Sequence, residues 1–343
     1  MAQKKRQDAG LAKLKKELSE NNLGNLYLFY GEEDYLRDYY IQQVQKKLLT
    51  EGMETFNLHQ FQGKELDIQT LADCVDTLPM MSQRTMILVY DYDLFGNESR
   101  RDRLEQMFQD LPEYVCLIFV YDLLPYKSGG NTKLGKLLKK VATVVEFQPQ
   151  QQSDLNAWIR RHCKALGKEI DNSTAEYLTF VCGGLMTNLG GEIQKVGSYA
   201  AGSKITRADI DAVATPVLDA KVYELSKAVA ARNFDQAALV LGELYQMNEE
   251  PIMILAVLAG QLRQMWSARL ALESGKGQGY VADLWKLRSS WQAGNLMRSA
   301  RQFDLKWCRN AVALAAETDL AMKSTGIDRE ELLTDLLLKL AAG

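Results

Sequence analysis

NLYLFYGEEDYL, at residues 25–36, is the stretch that decides the fold of the first part of the chain. Its apolar first half predicts a buried strand, Gly31 predicts a turn, and a helix is expected to begin near Asp34. This arrangement cradles phosphate in nucleotide-binding folds, where backbone N–H groups and a lysine face the anion. Here Glu32 and Glu33 follow the glycine, so carboxylates stand where phosphate would lie.

Strand-like and helix-like segments alternate from residue 26 to residue 148. The predicted strands are LYLFY, FNLHQF, TMILVYD, CLIFVYD and TVVEF. The central ones are nearly continuous apolar runs, which a parallel sheet covered on both faces requires. The pattern therefore predicts an α/β parallel-sheet domain over residues 1–148, whose ligand crevice would lie beyond the carboxyl ends of the strands.

After Pro149 the sequence predicts helices only. Residues 149–215 contain three or four short helical segments, and Thr215-Pro216 is a plausible linker. The remainder, 216–343, has the pattern of a helical bundle. One of its segments, EPIMILAVLAGQLRQMWSARLAL, begins with a proline in the first helical turn and is apolar almost all round, so it is expected to lie at the centre of that bundle.

Composition excludes several classes of protein. The 343 residues are 47% hydrophobic and 25% charged, with a net charge of −3, so no overall basic field recruits nucleic acid or membrane. The longest apolar runs are much shorter than the ~20 residues that a membrane span needs. Five scattered cysteines without a CxxC pair, together with two histidines, predict reduced core cysteines and no metal site. We expect a cytoplasmic protein.

The sequence lacks the residues of nucleotide chemistry. The phosphate motif GxxxxGK[ST] is absent, and the acidic residues after Gly31 are better suited to the start of a helix, where the helix dipole favours them. Asp91 follows an apolar strand as a metal-binding acid would, but Tyr92 stands where a catalytic glutamate belongs. We therefore expect no catalytic residue, no cofactor and no metal, and interpret Asp91 as a structural acid.

A family resemblance covers the chain from about residue 11 to its end. The order of domains and the segments named below resemble the delta subunit of the bacterial DNA polymerase III clamp loader, an AAA+ superfamily member with an inactive nucleotide site. The segments are LYLFYGEEDYLRDYYI, DTLPMMSQRTMILV, VVEFQPQQQSDLNAWIRRHCKALGKEID, GGLMTNLGGEIQKVGSYA, ITRADIDAV and AETDLAMKSTGIDREELLTDLLLKL. The resemblance implies an AAA+-like sheet domain at 1–148, a helical lid at 149–215 and a helical collar for oligomerisation at 216–343.

The resemblance also implies a function in DNA replication. Such a subunit binds the sliding clamp (beta) and opens or holds open its ring for loading onto primed DNA, without catalysis of its own. Its expected partners are the clamp, the ATPase subunits gamma and tau, delta-prime, and primed DNA through the assembled complex. An active NTPase or an adaptor of the initiator or helicase-loader type is the alternative, and the missing phosphate lysine disfavours an NTPase.

The candidate clamp-binding residues are Leu78, Pro79, Met80 and Met81, in the segment DTLPMMSQR. Pro79 should end the preceding helix and leave both methionines on a loop, before a Ser-x-Arg turn and the third strand. The alternative is that both methionines pack beneath that strand. The resemblance implies that they grip the clamp, in place of the leucine–phenylalanine pair of some relatives; methionine keeps the volume and adapts to irregular pockets.

A second stretch, NTKLGKLLKK, places four lysines on one predicted helix. Clamp loaders follow DNA phosphates with such residues, but a solvated helix face is the favoured interpretation of this stretch. We do not include it in the candidate site.

Overall fold

A computed structural model describes residues 2–96, 98–287 and 290–342 of the chain. The chain forms two compact units. The first unit comprises residues 1–149 and 185–187, and the second comprises 150–184 and 188–343. The stretches assigned to a lid and a collar both lie mainly in the second unit, so their division at residue 215 stays a prediction.

The first unit is built on a five-stranded parallel sheet with the strand order β2-β3-β4-β1-β5. Its strands are β1 (Leu26–Tyr30), β2 (Leu58–Gln62), β3 (Thr85–Tyr90), β4 (Val115–Val120) and β5 (Thr143–Glu146). Its helices are α1 (Ala2–Glu20), α2 (Asp34–Leu48), α3 (Glu54–Asn57), α4 (Ile68–Asp76), α5 (Glu98–Gln109) and α6 (Lys133–Val141). The predicted α/β parallel-sheet fold is confirmed.

Apolar side chains of the central strands divide between two cores, one on each face of the sheet. In β1, Leu26 and Leu28 belong to one core, whereas Tyr27 and Phe29 belong to the other. This alternation follows from the two-residue period of a strand, and it explains why the central strands are continuously apolar. All six residues of β4 are buried.

The edge strand β2 differs from the sequence prediction. The sequence predicts a strand over the whole segment FNLHQF, but its first two residues end α3 and the strand starts only at Leu58. None of the residues of β2 is fully buried. An edge strand pairs on one side only and gives a weaker apolar signal, so its limits are harder to read from sequence.

Beyond residue 149 the described residues form helices, with no further strand of the sheet. These helices are α7 (Gln152–Ala165), α8 (Asn172–Cys182), α9 (Met186–Tyr199), α10 (Arg207–Val213), α11 (Leu218–Ala230), α12 (Phe234–Gln246), α13 (Pro251–Glu273), α14 (Gln278–Trp285), α15 (Ser290–Ala300), α16 (Leu305–Ser324) and α17 (Arg329–Ala342). In the described part of the chain, none of the helices combines the length and the apolar character that a membrane crossing requires.

Helix α13 is the central helix of the C-terminal bundle, as its sequence predicts. Pro251 is its first residue, where the missing N–H costs nothing because that position has no intrahelical acceptor. The helix contacts α11, α14, α15, α16 and α17. Its buried side chains contribute to one continuous apolar core that runs from α11 to α17.

Candidate functional site

The loop between α4 and β3, residues 77–84, exposes apolar side chains; we call it the methionine loop. Helix α4 ends at Asp76, two residues before the Leu78–Pro79 pair. Leu78 is 72% exposed, Met80 is 54% exposed and Met81 is 79% exposed. The structure therefore places both methionines at the surface, and the alternative in which they pack beneath β3 is wrong.

Asn57 fixes the backbone of the methionine loop at Met80. This amide side chain is completely buried. Its Oδ1 accepts a hydrogen bond from the backbone N–H of Met80 at 2.8 Å, and its Nδ2 donates to the carbonyl of Met80 at 2.8 Å and to that of Met53 at 3.0 Å. Two reciprocal bonds to one residue hold the peptide in place as a neighbouring strand would.

Arg84 anchors the other end of the methionine loop. Its Nη1 donates to the carbonyl of Leu23 at 2.7 Å, and its Nη2 donates to the carbonyls of Gly24 and Val115 at 3.0 and 2.8 Å. These bonds connect the loop to the segments that lead into β1 and β4. The Arg of the Ser-x-Arg turn is thus structural, and it stiffens the loop without occupying its exposed surface.

Met81 has a left-handed backbone conformation, with φ at +54°. A residue with a side chain pays roughly 1–2 kcal/mol for this conformation, because its Cβ approaches the carbonyl oxygen. Such strain persists only where the surroundings impose it, and here Asn57 and Arg84 hold the loop on either side. Strained backbone together with exposed apolar side chains is typical of a binding segment.

The turn after β1, residues 31–33, is closed and does not form a phosphate cradle; we call it the glycine loop. Gly31 has φ at +128°, and a Cβ there would clash with the carbonyl oxygen of Phe147. The N–H of Glu33 donates to the same carbonyl at 3.0 Å. The backbone group that would face an anion is therefore bonded within the protein.

Glu33 turns its carboxylate inward. The side chain is fully buried, and its two oxygens accept from the N–H of Met186, at 3.2 and 3.3 Å; residues 185–187 belong to the same unit. Burial raises the pKa of Glu33 to about 6; the Met186 hydrogen bond lowers it, and the charge of Asp34 adds a smaller increase. A carboxylate two residues after the glycine is thus buried within the first unit.

Asp91 organises the loop that follows β4. Its Oδ1 accepts from the backbone N–H groups of Asp122, Leu123 and Leu124, each at 2.9 Å. Tyr92, which follows it, is buried in the core. In the described residues no group of His, Cys, Asp and Glu side chains is arranged to hold a metal ion. The structural interpretation of Asp91 agrees with this geometry.

The lysine-rich helix α6 uses part of its charge internally. Lys133 pairs with Glu105 at 2.8 Å, and the Nζ of Lys139 donates to the carbonyl of Gly130 at 3.0 Å. Two of the four lysines are therefore engaged within the unit. The solvated-face interpretation of this helix accounts for what is observed.

The fold is a five-stranded parallel α/β domain whose turn after β1 is closed against Phe147, followed in sequence by helices. Comparison with known proteins agrees with this arrangement. A sequence model of "DNA polymerase III, delta subunit" matches residues 27–148, and a model of the C-terminal domain of the delta subunit matches residues 219–340. The DNA polymerase III subunit delta of Bacillus subtilis (strain 168) is 27% identical over 334 residues, covering 95% of each protein.

A solved structure of a delta protein is also similar to this chain. The Bacillus subtilis DNA clamp loader delta protein matches with a TM-score of 0.51 and 25% identity, over 96% of this chain and 99% of that one. The chain belongs to the DNA polymerase III delta subunit family, which confirms the resemblance seen in its sequence.

Two structural residues of the site could not be identified from local sequence patterns. Asn57 lies next to apolar residues at the start of a strand-like segment. A polar amide in such an apolar stretch is the only sequence signal of its structural role. Its partner Met80 is 23 residues away in sequence, so the pairing itself has no local signature. The sequence indicates Arg84 only as part of a turn.

Proposed function

We propose that this chain is the non-catalytic subunit of a clamp loader that binds the sliding clamp through the methionine loop and opens its ring, or holds it open, for loading onto primed DNA. The observation that carries the proposal is an exposed apolar pair, Met80 and Met81, on a backbone that Asn57 and Arg84 hold in place. Leu78 and Pro79 extend this surface.

Physical reasoning supports an anchor role for the two methionines. Interfaces concentrate their energy in a few buried anchors, and truncation of a main anchor costs ~2–4 kcal/mol. A loop that is already ordered loses little conformational entropy when it binds, so more of the contact energy appears as affinity. Methionine adapts to an irregular pocket, which suits a partner site that accepts other apolar pairs.

Ring opening then follows from differential binding. If the chain binds more tightly to the clamp conformation in which one subunit interface is open, it shifts the population of clamp rings toward that conformation. No hydrolysis is needed for this step. A subunit whose glycine loop is closed against Phe147 is suited to it, because its binding surface does not depend on nucleotide.

The C-terminal helices are the proposed surface for assembly with the ATPase subunits gamma and tau and with delta-prime. Leu239, Leu320 and Leu338 are each more than 60% exposed on α12, α16 and α17. Exposed apolar side chains of this kind are suited to side-by-side packing in a ring or spiral whose contacts are not self-complementary. Primed DNA would be contacted through the assembled complex.

The proposal is tested by titrating the full-length chain against the purified sliding clamp of the same organism. A fluorophore pair placed across one clamp interface reports the opening of the ring. We expect saturable binding without nucleotide and an increase in the distance between the fluorophores. Binding that needs ATP, or no binding at all, would favour the alternative of an NTPase or an adaptor of another pathway.

A further inference from the structure

Arg37 lies at the sequence position of the phosphate-binding lysine. In the motif GxxxxGK[ST] the lysine follows the first glycine by six residues, and six residues after Gly31 is Arg37. Leu36 and Asp38 replace the second glycine and the hydroxyl residue, which is why the motif is not recognisable in the sequence. The cation of the motif is nevertheless retained, in the first turn of α2.

The guanidinium group of Arg37 is buried and surrounded by carboxylates of the same unit. Its side chain is 5% exposed, and its Nη1 lies 2.9 Å from Asp34 Oδ1 and 3.0 Å from Asp122 Oδ1. Asp38 lies 3.5 Å from Nε. Asp34 is the first residue of α2, and Asp122 follows the end of β4. The cation thus joins the helix after the glycine loop to the carboxyl end of a central strand.

These carboxylates neutralise Arg37 without fully satisfying its donors. Among the described residues, neither the buried Nε nor the buried Nη1 has a hydrogen-bond acceptor in good geometry, although carboxylate oxygens lie within ion-pair distance. A guanidinium group presents a planar fork that suits two oxygens of one carboxylate or phosphate. In this chain the guanidinium group of Arg37 is instead approached by one carboxylate oxygen from each of several different residues.

Asp122 also lies in the segment that Asp91 holds. The Asp122 N–H is one of the three that donate to Asp91 Oδ1, so the backbone of this residue is fixed while its carboxylate reaches Arg37. Two acids, Asp91 and Asp122, therefore hold the end of β4 in one conformation. In a phosphate-binding fold this region faces the ligand, because it lies at the carboxyl edge of the sheet.

We propose that Asp34 and Asp122 take the place of a ligand's phosphate groups: Arg37 is a latent site for a phosphoryl anion, and the chain fills that site with its own carboxylates. Through these ion pairs, Arg37 then holds α2 to the end of β4 whether or not nucleotide is present. This inference concerns the interior of the first unit and does not rest on clamp binding by the methionine loop.

The test is an exchange experiment on the full-length protein. Amide hydrogen exchange in residues 33–38 and 121–124 reports whether α2 and the end of β4 are joined. The variant D34N/D122N removes both charges and keeps the side-chain shapes. Pyrophosphate at constant ionic strength is the added anion. The exposed acid Asp110 provides a matched control, D110N, and R37M added to the double variant removes the cation.

In the parent and in D110N we expect slow exchange that pyrophosphate does not change. In D34N/D122N, exchange in the two segments should become faster by about tenfold or more, because a buried cation has lost its two closest ion-pair partners. Pyrophosphate should restore protection, and the added R37M should abolish that rescue.

Two results would overturn the proposal. Unchanged exchange in D34N/D122N would mean that the acids do not join the two elements. Faster exchange that pyrophosphate cannot reverse would show that the two acids are ordinary ion-pair partners and do not take the place of a phosphate. If the double variant does not fold, the single variant D122N, which keeps Asp34, is judged by the same two criteria.

Discussion

The methionine loop and the glycine loop belong to the same unit, yet they use their side chains in opposite ways. The methionine loop exposes large apolar side chains, and buried polar groups beneath it fix its backbone. The glycine loop buries a carboxylate, Glu33, and bonds its own backbone to Phe147. In this chain the loop that serves phosphate in other folds is packed as core, and the exposed apolar surface lies on a different loop.

The largest effect on stability is expected from Asn57→Ala, which should remove the fixed backbone that distinguishes the methionine loop. The change leaves the N–H and carbonyl of Met80 without their partner, at a cost of roughly 2–3 kcal/mol in the free energy of unfolding. Clamp affinity should fall as well, because the methionines lose their fixed positions. Urea unfolding and clamp titration measure the two effects.

Gln60→Ala, an exposed change on the neighbouring strand, is the matched control for Asn57→Ala. It should leave both the free energy of unfolding and the clamp affinity close to those of the parent. If Asn57→Ala weakens stability but not clamp binding, the order of the methionine loop does not contribute to recognition.

A smaller effect is expected from Glu33→Gln, which tests the buried charge of the glycine loop. The ordinary pKa of this carboxyl is 4.5 and burial raises it to about 6, so the folded state binds the proton more tightly than the unfolded state. The stability that protonation provides is complete below pH 4.5 and is lost as the pH rises through 6. Glu33→Gln keeps a neutral side chain at every pH.

We therefore expect Glu33→Gln to match the parent near pH 4.5 and to exceed its stability at pH 7.5 by ~1–2 kcal/mol. Thermal unfolding across this range measures the difference. Glu32→Gln changes the exposed neighbour and should show no such trend. A constant offset between Glu33→Gln and the parent at all pH values would contradict the buried charge.

The smallest effect concerns the backbone of Met81. Glycine tolerates φ at +54° without a Cβ clash, whereas alanine does not, so Met81→Gly should be more stable than Met81→Ala by ~1 kcal/mol. Both variants lack the anchoring side chain and should lose clamp affinity equally. Equal stability of the two variants, measured by urea unfolding, would mean that the backbone strain at this residue is released in solution.

Residues that act through their own local pattern could be predicted from the sequence. Continuous apolar runs gave the central strands because both faces of the sheet are buried. Pro79 predicted that α4 ends before it, because a proline disfavours helix at the preceding residue. The exposure of the methionines followed from their place in the loop after that helix. The continuous apolarity of α13 gave its central place in the bundle.

Residues that act through a distant partner could not be predicted. Asn57 needs Met80, Arg84 needs carbonyls in two other segments, and Arg37 needs Asp122, which is 85 residues away along the chain. Each of these polar residues looks like an ordinary surface residue in sequence. Only the fold shows that each is buried or part-buried and which groups satisfy it.

The central claim is that Met80 and Met81 anchor the sliding clamp, and the equilibrium dissociation constant of the variant M80A/M81A tests it most directly. The matched control is L123A/L124A, since Leu123 and Leu124 are also exposed apolar side chains of the first unit. We expect the clamp dissociation constant of M80A/M81A to rise by about tenfold to several hundredfold, at 1.4 kcal/mol per decade, with an unchanged melting temperature. The control should bind as the parent does. Parent-like clamp binding by M80A/M81A would contradict the account.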